Sequence, residues 1–135
     1  MAGPISYVSD GDEYQAGACN IGPAEIARRR RAGFVGVGAA AILAAALVVV
    51  DAPSVTRLLV ALPLAAGFSG FLQARLRFCA NYGWRGVRNF GDIGETQSIE
   101  EAESRATDRR RSLEIFGASA LGGIAVAGLF ALLPL

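Results

Sequence analysis

The chain has 135 residues, 13 basic and 12 acidic side chains, a formal net charge of +1, and hydrophobic residues make up 53% of it. Every basic residue is Arg, with no Lys and no His. That composition removes imidazole as general base, haem ligand or zinc ligand, and lysine as Schiff-base former or P-loop cation.

The length would suit one soluble domain, but the apolar residues are grouped rather than spread. Residues 32–50 and 115–135 carry no charge, and residues 52–74 carry Arg57 alone. A hydrocarbon core about 30 Å thick takes roughly 20 helical residues to cross, which each stretch supplies. A chain this small has too little polar shell to bury three such segments in water. The expected fold class is therefore an all-α membrane protein with three transmembrane helices. Helices 1 and 2 would form an antiparallel hairpin, and a cytoplasmic helical extension would precede helix 3.

In chain order, residues 1–21 read as a polar leader with Asp10, Asp12 and Glu13. It has no apolar run and so does not resemble a secretory signal peptide. Helix 1 is expected over 22–50, entering the membrane from about residue 32. Pro23 suits the first helical position, and Glu25 complements the positive end of the helix dipole. Asp51-Ala52-Pro53-Ser54 reads as a tight turn. Helix 2 is expected over 52–82, with Arg57 snorkelling to the headgroups near its outer end, a kink at Pro63 and Gly83 as its stop. Residues 83–112 read as a cytoplasmic loop followed by a charged helix. Ser98 with Glu101 forms a capping-box pattern, and Glu101 with Arg105 an i, i+4 pair. That helix is expected to run into helix 3, over 113–135, with little or no break.

All the arginines except Arg57 fall on one side of this layout. The positive-inside rule then makes the amino terminus and the long loop cytoplasmic and the carboxyl terminus external. Heavy use of Ala, Gly and Arg without Lys points to a GC-rich bacterial coding sequence, hence to a bacterial inner membrane.

Arg28, Arg29, Arg30 and Arg31 read first as the topology determinant of helix 1. With Arg109, Arg110 and Arg111 at the start of helix 3 they are also candidate contacts for an anionic lipid headgroup. Phe78, Tyr82, Trp84 and Phe90 interleave with Arg75, Arg77, Arg85 and Arg88. In a soluble protein this would suggest a stacking surface for single-stranded nucleic acid, but beside a membrane helix it reads as an interfacial anchor. No nucleic-acid partner is expected. Gly86, Gly91 and Gly94 lack the context of a phosphate loop.

Cys19 and Cys79 both fall just outside the membrane on the cytoplasmic side and form a candidate thiol pair. Neighbouring arginines and a helix start would lower a thiol pKa there. Against a redox or metal role, two thiolates make half a zinc site and no His completes it, so packing cysteines are the plainer reading. No metal, cofactor or catalytic residue is expected. Inside the membrane, Gly36 with Ala40, Ala66 with Gly70, and Ala118 with Gly122 are small residues four apart, a spacing that lets helices approach closely. Three helices cannot bury all those faces on one another, so the expected partners are the bilayer and either other membrane subunits or a second copy.

The segment Tyr14-Gln-Ala-Gly-Ala-Cys-Asn-Ile-Gly-Pro-Ala-Glu-Ile before the arginine run resembles one found in small bacterial membrane proteins of no assigned activity. Gly70-Phe-Leu-Gln-Ala-Arg and Phe78-Cys79 belong to the same pattern. The resemblance runs from about Tyr14 onward. It implies a three-helix membrane protein and brings no activity, cofactor or site residue.

Three functions follow in order. The first is a small accessory, assembly or scaffold subunit of a bacterial membrane complex. The second is a homo-oligomeric channel or small transporter, against which stands the lack of an ionisable residue at mid-membrane depth. The third is a cytoplasmic-face thiol redox protein using Cys19 and Cys79.

Overall fold

The computed structural model describes residues 14–134. The leader's Asp10, Asp12 and Glu13 and the terminal Leu135 lie outside the described residues. The chain is mostly helical, and three of its helices are long and apolar enough to cross a membrane. They are α1 (Pro23–Val49), α2 (Ser54–Leu76) and α4 (Ala102–Leu132). Between the last two lie a short helix α3 (Ala80–Arg85) and a two-stranded antiparallel ladder of β1 (Val87–Arg88) and β2 (Gln97–Ser98).

Helix α1 starts with Pro23 in its first turn and Glu25 behind it. Asp51 takes a left-handed φ of 55° in the turn to α2, a conformation a short polar side chain tolerates. Helix α2 opens with one α-turn, tightens to a 3₁₀ turn over Leu58–Val60, then runs as α-helix from Ala61. Pro63 has no N–H to bond the carbonyl four residues earlier, and the tightened turn just before it adapts to that loss.

Helix α2 is the middle of the bundle. A Cβ on Gly36 would meet the Gly67 backbone at 2.5 Å, and one on Gly70 would meet the Gly33 amide nitrogen at 2.6 Å. Falling numbers on α1 thus meet rising numbers on α2, so the two run antiparallel with their backbones almost touching. On the other side a Cβ on Gly123 would meet the Ala61 carbonyl at 2.8 Å, while Ile115 packs with Phe78 and Ala80. That is antiparallel again. Ala40, Val60 and Leu64 form a core at the end distal to the arginines, with Phe130 packed on it.

Four expectations are corrected. Helix α2 does not reach Tyr82: it ends at Leu76, and Arg77 closes it in the left-handed region at φ 56°. Gly83 is no stop but lies inside α3, where a Cβ would strike Ser112 and the Phe78 ring. Ser98 does not cap a helix, because its backbone pairs with Val87 in the ladder, and α4 starts at Ala102 with Glu101 at the cap position. Arg57 does not snorkel outward. It is 3% exposed, donates from Nη1 to the Leu133 carbonyl at 3.1 Å and lies over the Phe130 ring at 5.5 Å. A guanidinium at an apolar helix end finds its acceptor just past the end of the neighbouring helix rather than in solvent.

Candidate functional site

The polar residues flanking the membrane helices converge on a cap over the arginine-rich end of the bundle. Glu25, fully buried, is at its centre. Its Oε1 accepts from Arg29 Nη1 at 2.9 Å and lies 3.7 Å from Arg28. Its Oε2 accepts from the Tyr82 hydroxyl and the Asn89 amide, each at 2.7 Å, and from the Gly94 backbone at 3.0 Å. Both oxygens are thus engaged by donors from α1, α3 and the loop. Such a carboxylate ties three segments together.

Asn20 makes the second knot. Its Oδ1 accepts from the Cys79 amide at 2.7 Å and its Nδ2 donates to the Cys79 carbonyl at 3.1 Å. The Asn20 backbone completes the join, its N–H donating to the Arg77 carbonyl and its carbonyl accepting from Asn89. The segment before α1 is thereby stitched to the break after α2. Gln73 supports the same break: its Oε1 accepts from Ala80 at 2.9 Å, replacing the bond that the interrupted helix would have made. A third knot is Asp108 on α4, which accepts from the Tyr14 hydroxyl at 2.6 Å and from the Gly17 amide at 2.7 Å.

Cys19 and Cys79 are both buried and free. Cys79 Sγ accepts from Tyr82 N–H at the start of α3 and from Arg29 Nη2 at 2.8 Å. Cys19 is directed to the Ile21 carbonyl at 3.8 Å. The expected lowering of a thiol pKa is reversed at Cys19. Burial pushes that thiol up, and the Ile21 contact and the Arg77 charge offset the push only in part. Burial together with Glu25 raises the Tyr82 phenol as well. Burial and Asp108 raise the Tyr14 phenol far above its ordinary value.

The arginine runs divide. Arg29 turns inward, its side chain 13% exposed, and stacks over Tyr82 with 5.4 Å to the ring centroid. Arg28, Arg30 and Arg31 are exposed. On α4, Arg109 donates to the Trp84 carbonyl and lies over its ring, Arg110 is exposed, and Arg111 pairs with Glu114 at 3.1 Å. One member of each run is paired with a carboxylate, Arg29 with Glu25 and Arg111 with Glu114. The small residues divide too. Gly36, Ala40 and Gly70 are buried in the α1–α2 contact, Gly122 lies against Phe68, and Ala66 and Ala118 face outward.

Asn20, Gln73, Tyr82, Asn89 and Asp108 were not singled out from the sequence as knots of a site. Their partners lie far along the chain, up to 94 residues apart for Tyr14 and Asp108, so no spacing rule reports them. Among the described residues no group of three or more His, Cys, Asp or Glu could hold a metal ion. Comparison with family models, with curated proteins and with solved structures finds no match to this chain.

Proposed function

We propose that the chain is a small accessory, assembly or scaffold subunit of a complex in a bacterial inner membrane, with its arginine-rich cap cytoplasmic. The observation that carries this reading is a division among the small residues of the membrane helices. Gly36, Gly67, Gly70 and Gly123 are consumed by contacts inside the bundle. Gly38 and Gly117, by contrast, have nothing within 4 Å of an added Cβ, and an exposed alanine adjoins each on its own helix, Ala39 on α1 and Ala118 on α4. A helix surface cut flat by Gly and Ala favours the close approach of another helix over lipid chains. The cap supports the same reading, because its carboxylates are spent on holding segments together. Orientation follows from the arginine distribution, which leaves Arg57 alone at the opposite end.

Purification of the full chain in a mild detergent, followed by mass spectrometry of what comes with it, is the test. A defined set of other membrane proteins is expected, lost when Gly38 or Gly117 is replaced by Leu while the helical content stays unchanged. A homogeneous oligomer of this chain alone would favour the channel or transporter instead.

A further inference from the structure

Arg30 on α1, Arg75 in the last turn of α2 and Arg77 just beyond it are among the cap arginines with no carboxylate within salt-bridge reach among the described residues. They line one side-facing groove of about 540 Å³, together with Ile26, Ala27 and Ala74. The acidic group nearest along α1, Glu25, is buried and hydrogen-bonded within the cap, and no carboxylate lines the groove. Arg77 sits in the left-handed region. Glycine is the residue that closes a helix there without steric cost, so an arginine at this place is held at an energetic disadvantage.

The groove continues toward the membrane in two directions. Between α1 and α2 it passes Arg30 and Arg75 into a trough of about 440 Å³ walled by Phe34 and Phe71, whose rings meet edge to face at 4.9 Å. On the other side of Arg75, between α2 and α4, a trough of about 310 Å³ is lined by Phe68, Phe71, Leu72 and Ala118. Arg75 belongs to all three spaces. Phe68 lies roughly 10 Å along the helix from Arg75 at about 1.5 Å rise per residue.

A cationic mouth that forks into two apolar troughs has the outline of one kind of molecule. The geometry points to a binding site for an anionic diacyl phospholipid. Its phosphate diester meets the guanidiniums of Arg30, Arg75 and Arg77, and its two acyl chains straddle α2, one over Phe34 and Phe71, the other over Phe68, Leu72 and Ala118. Guanidinium matches phosphate oxygens in charge and in fork geometry. The inference rests on the membrane placement of the helices and is independent of the accessory role.

The test is electron spin resonance of the full chain in phosphatidylcholine bilayers doped with chain-labelled phosphatidylglycerol or chain-labelled phosphatidylcholine. The immobilised fraction is expected to favour phosphatidylglycerol, and Arg75→Gln or Arg77→Gln should reduce that preference by about fivefold each. Arg31→Gln removes the same charge at the same depth outside the groove and should leave most of the preference. Equal loss in all three variants would overturn the site in favour of diffuse surface attraction, and no preference in the unaltered chain would overturn it outright. Displacement of the labelled lipid by inorganic phosphate at fixed ionic strength would overturn it too, since the acyl chains would then add nothing. A preference that emerges only when Asp10, Asp12 and Glu13 are neutralised would assign the groove to the chain's own acidic segment. Failure of the membrane placement itself reads differently: no immobilised lipid of either kind.

Discussion

At the scale of single residues, Glu25 is the most consequential side chain. A buried carboxylate that holds two arginines, a phenol, an amide and a backbone N–H cannot be deleted without stranding several of them. Glu25→Ala should destabilise the cap by about 3–5 kcal/mol, as loss of one partner of a buried ion pair does. Asn20→Ala leaves the Cys79 amide and carbonyl unmatched and should cost at least about 1–3 kcal/mol. Trp84, the only tryptophan, sits in α3 beside this network, so its fluorescence during unfolding in mixed micelles reports both losses. A midpoint unchanged in both variants would contradict the network's role.

The thiol and the phenols of the cap share a direction of titration. Cys19, Tyr14 and Tyr82 are all raised by burial, so the folded state favours their neutral forms. Their stabilising contribution is complete below the ordinary thiol and phenol values of about 8.5 and 10, and is lost as pH rises from those values through the raised folded ones. Stability should therefore fall at alkaline pH beginning near pH 9, and Cys19 should alkylate slowly at neutral pH. Rapid modification of Cys19 at pH 7 in the folded protein would revive the thiol reading that burial argues against.

At the scale of elements, the glycines separate by what stands opposite them. A methyl group on Gly70 meets the Gly33 nitrogen and the Arg29 carbonyl, which are backbone and cannot step aside. On Gly122 it meets the edge of the Phe68 ring, which can rotate. Gly70→Ala should cost about 1–3 kcal/mol and Gly122→Ala should be tolerated, although both lie in small-residue patterns that look alike in sequence. The same unfolding measurement separates them, and equal effects would mean that α1 and α2 are not in backbone contact.

The elements also show where sequence signals end. The start of α1 was legible because Pro23 is a local signal that nothing distant overrides. The continuity of α4 was legible because no proline interrupts 102–132. The end of α2 was not. Residues 73–78 contain neither Gly nor Pro, and the helix stops because Asn20 and Gln73 satisfy backbone groups across the break. The Ser98–Glu101 pattern misled for the converse reason: the ladder with Val87 claims Ser98 first. Of the candidate site, the arginines and cysteines were visible by type and place, while their division into inward and outward members depends on which element faces them.

At the scale of the whole molecule, one bundle has two unlike ends. One carries the knotted polar cap and every arginine but one. The other is apolar, with its single guanidinium folded back onto Leu133 and Phe130. Three antiparallel helices of this polarity should cross a bilayer an odd number of times and leave the termini on opposite sides. The most direct test fuses the full chain, at either terminus in turn, to a reporter active only outside the cytoplasm and to one active only inside. The account predicts cytoplasmic activity at the amino terminus and external activity at the carboxyl terminus. Both termini on one side, or the reverse assignment, would contradict it.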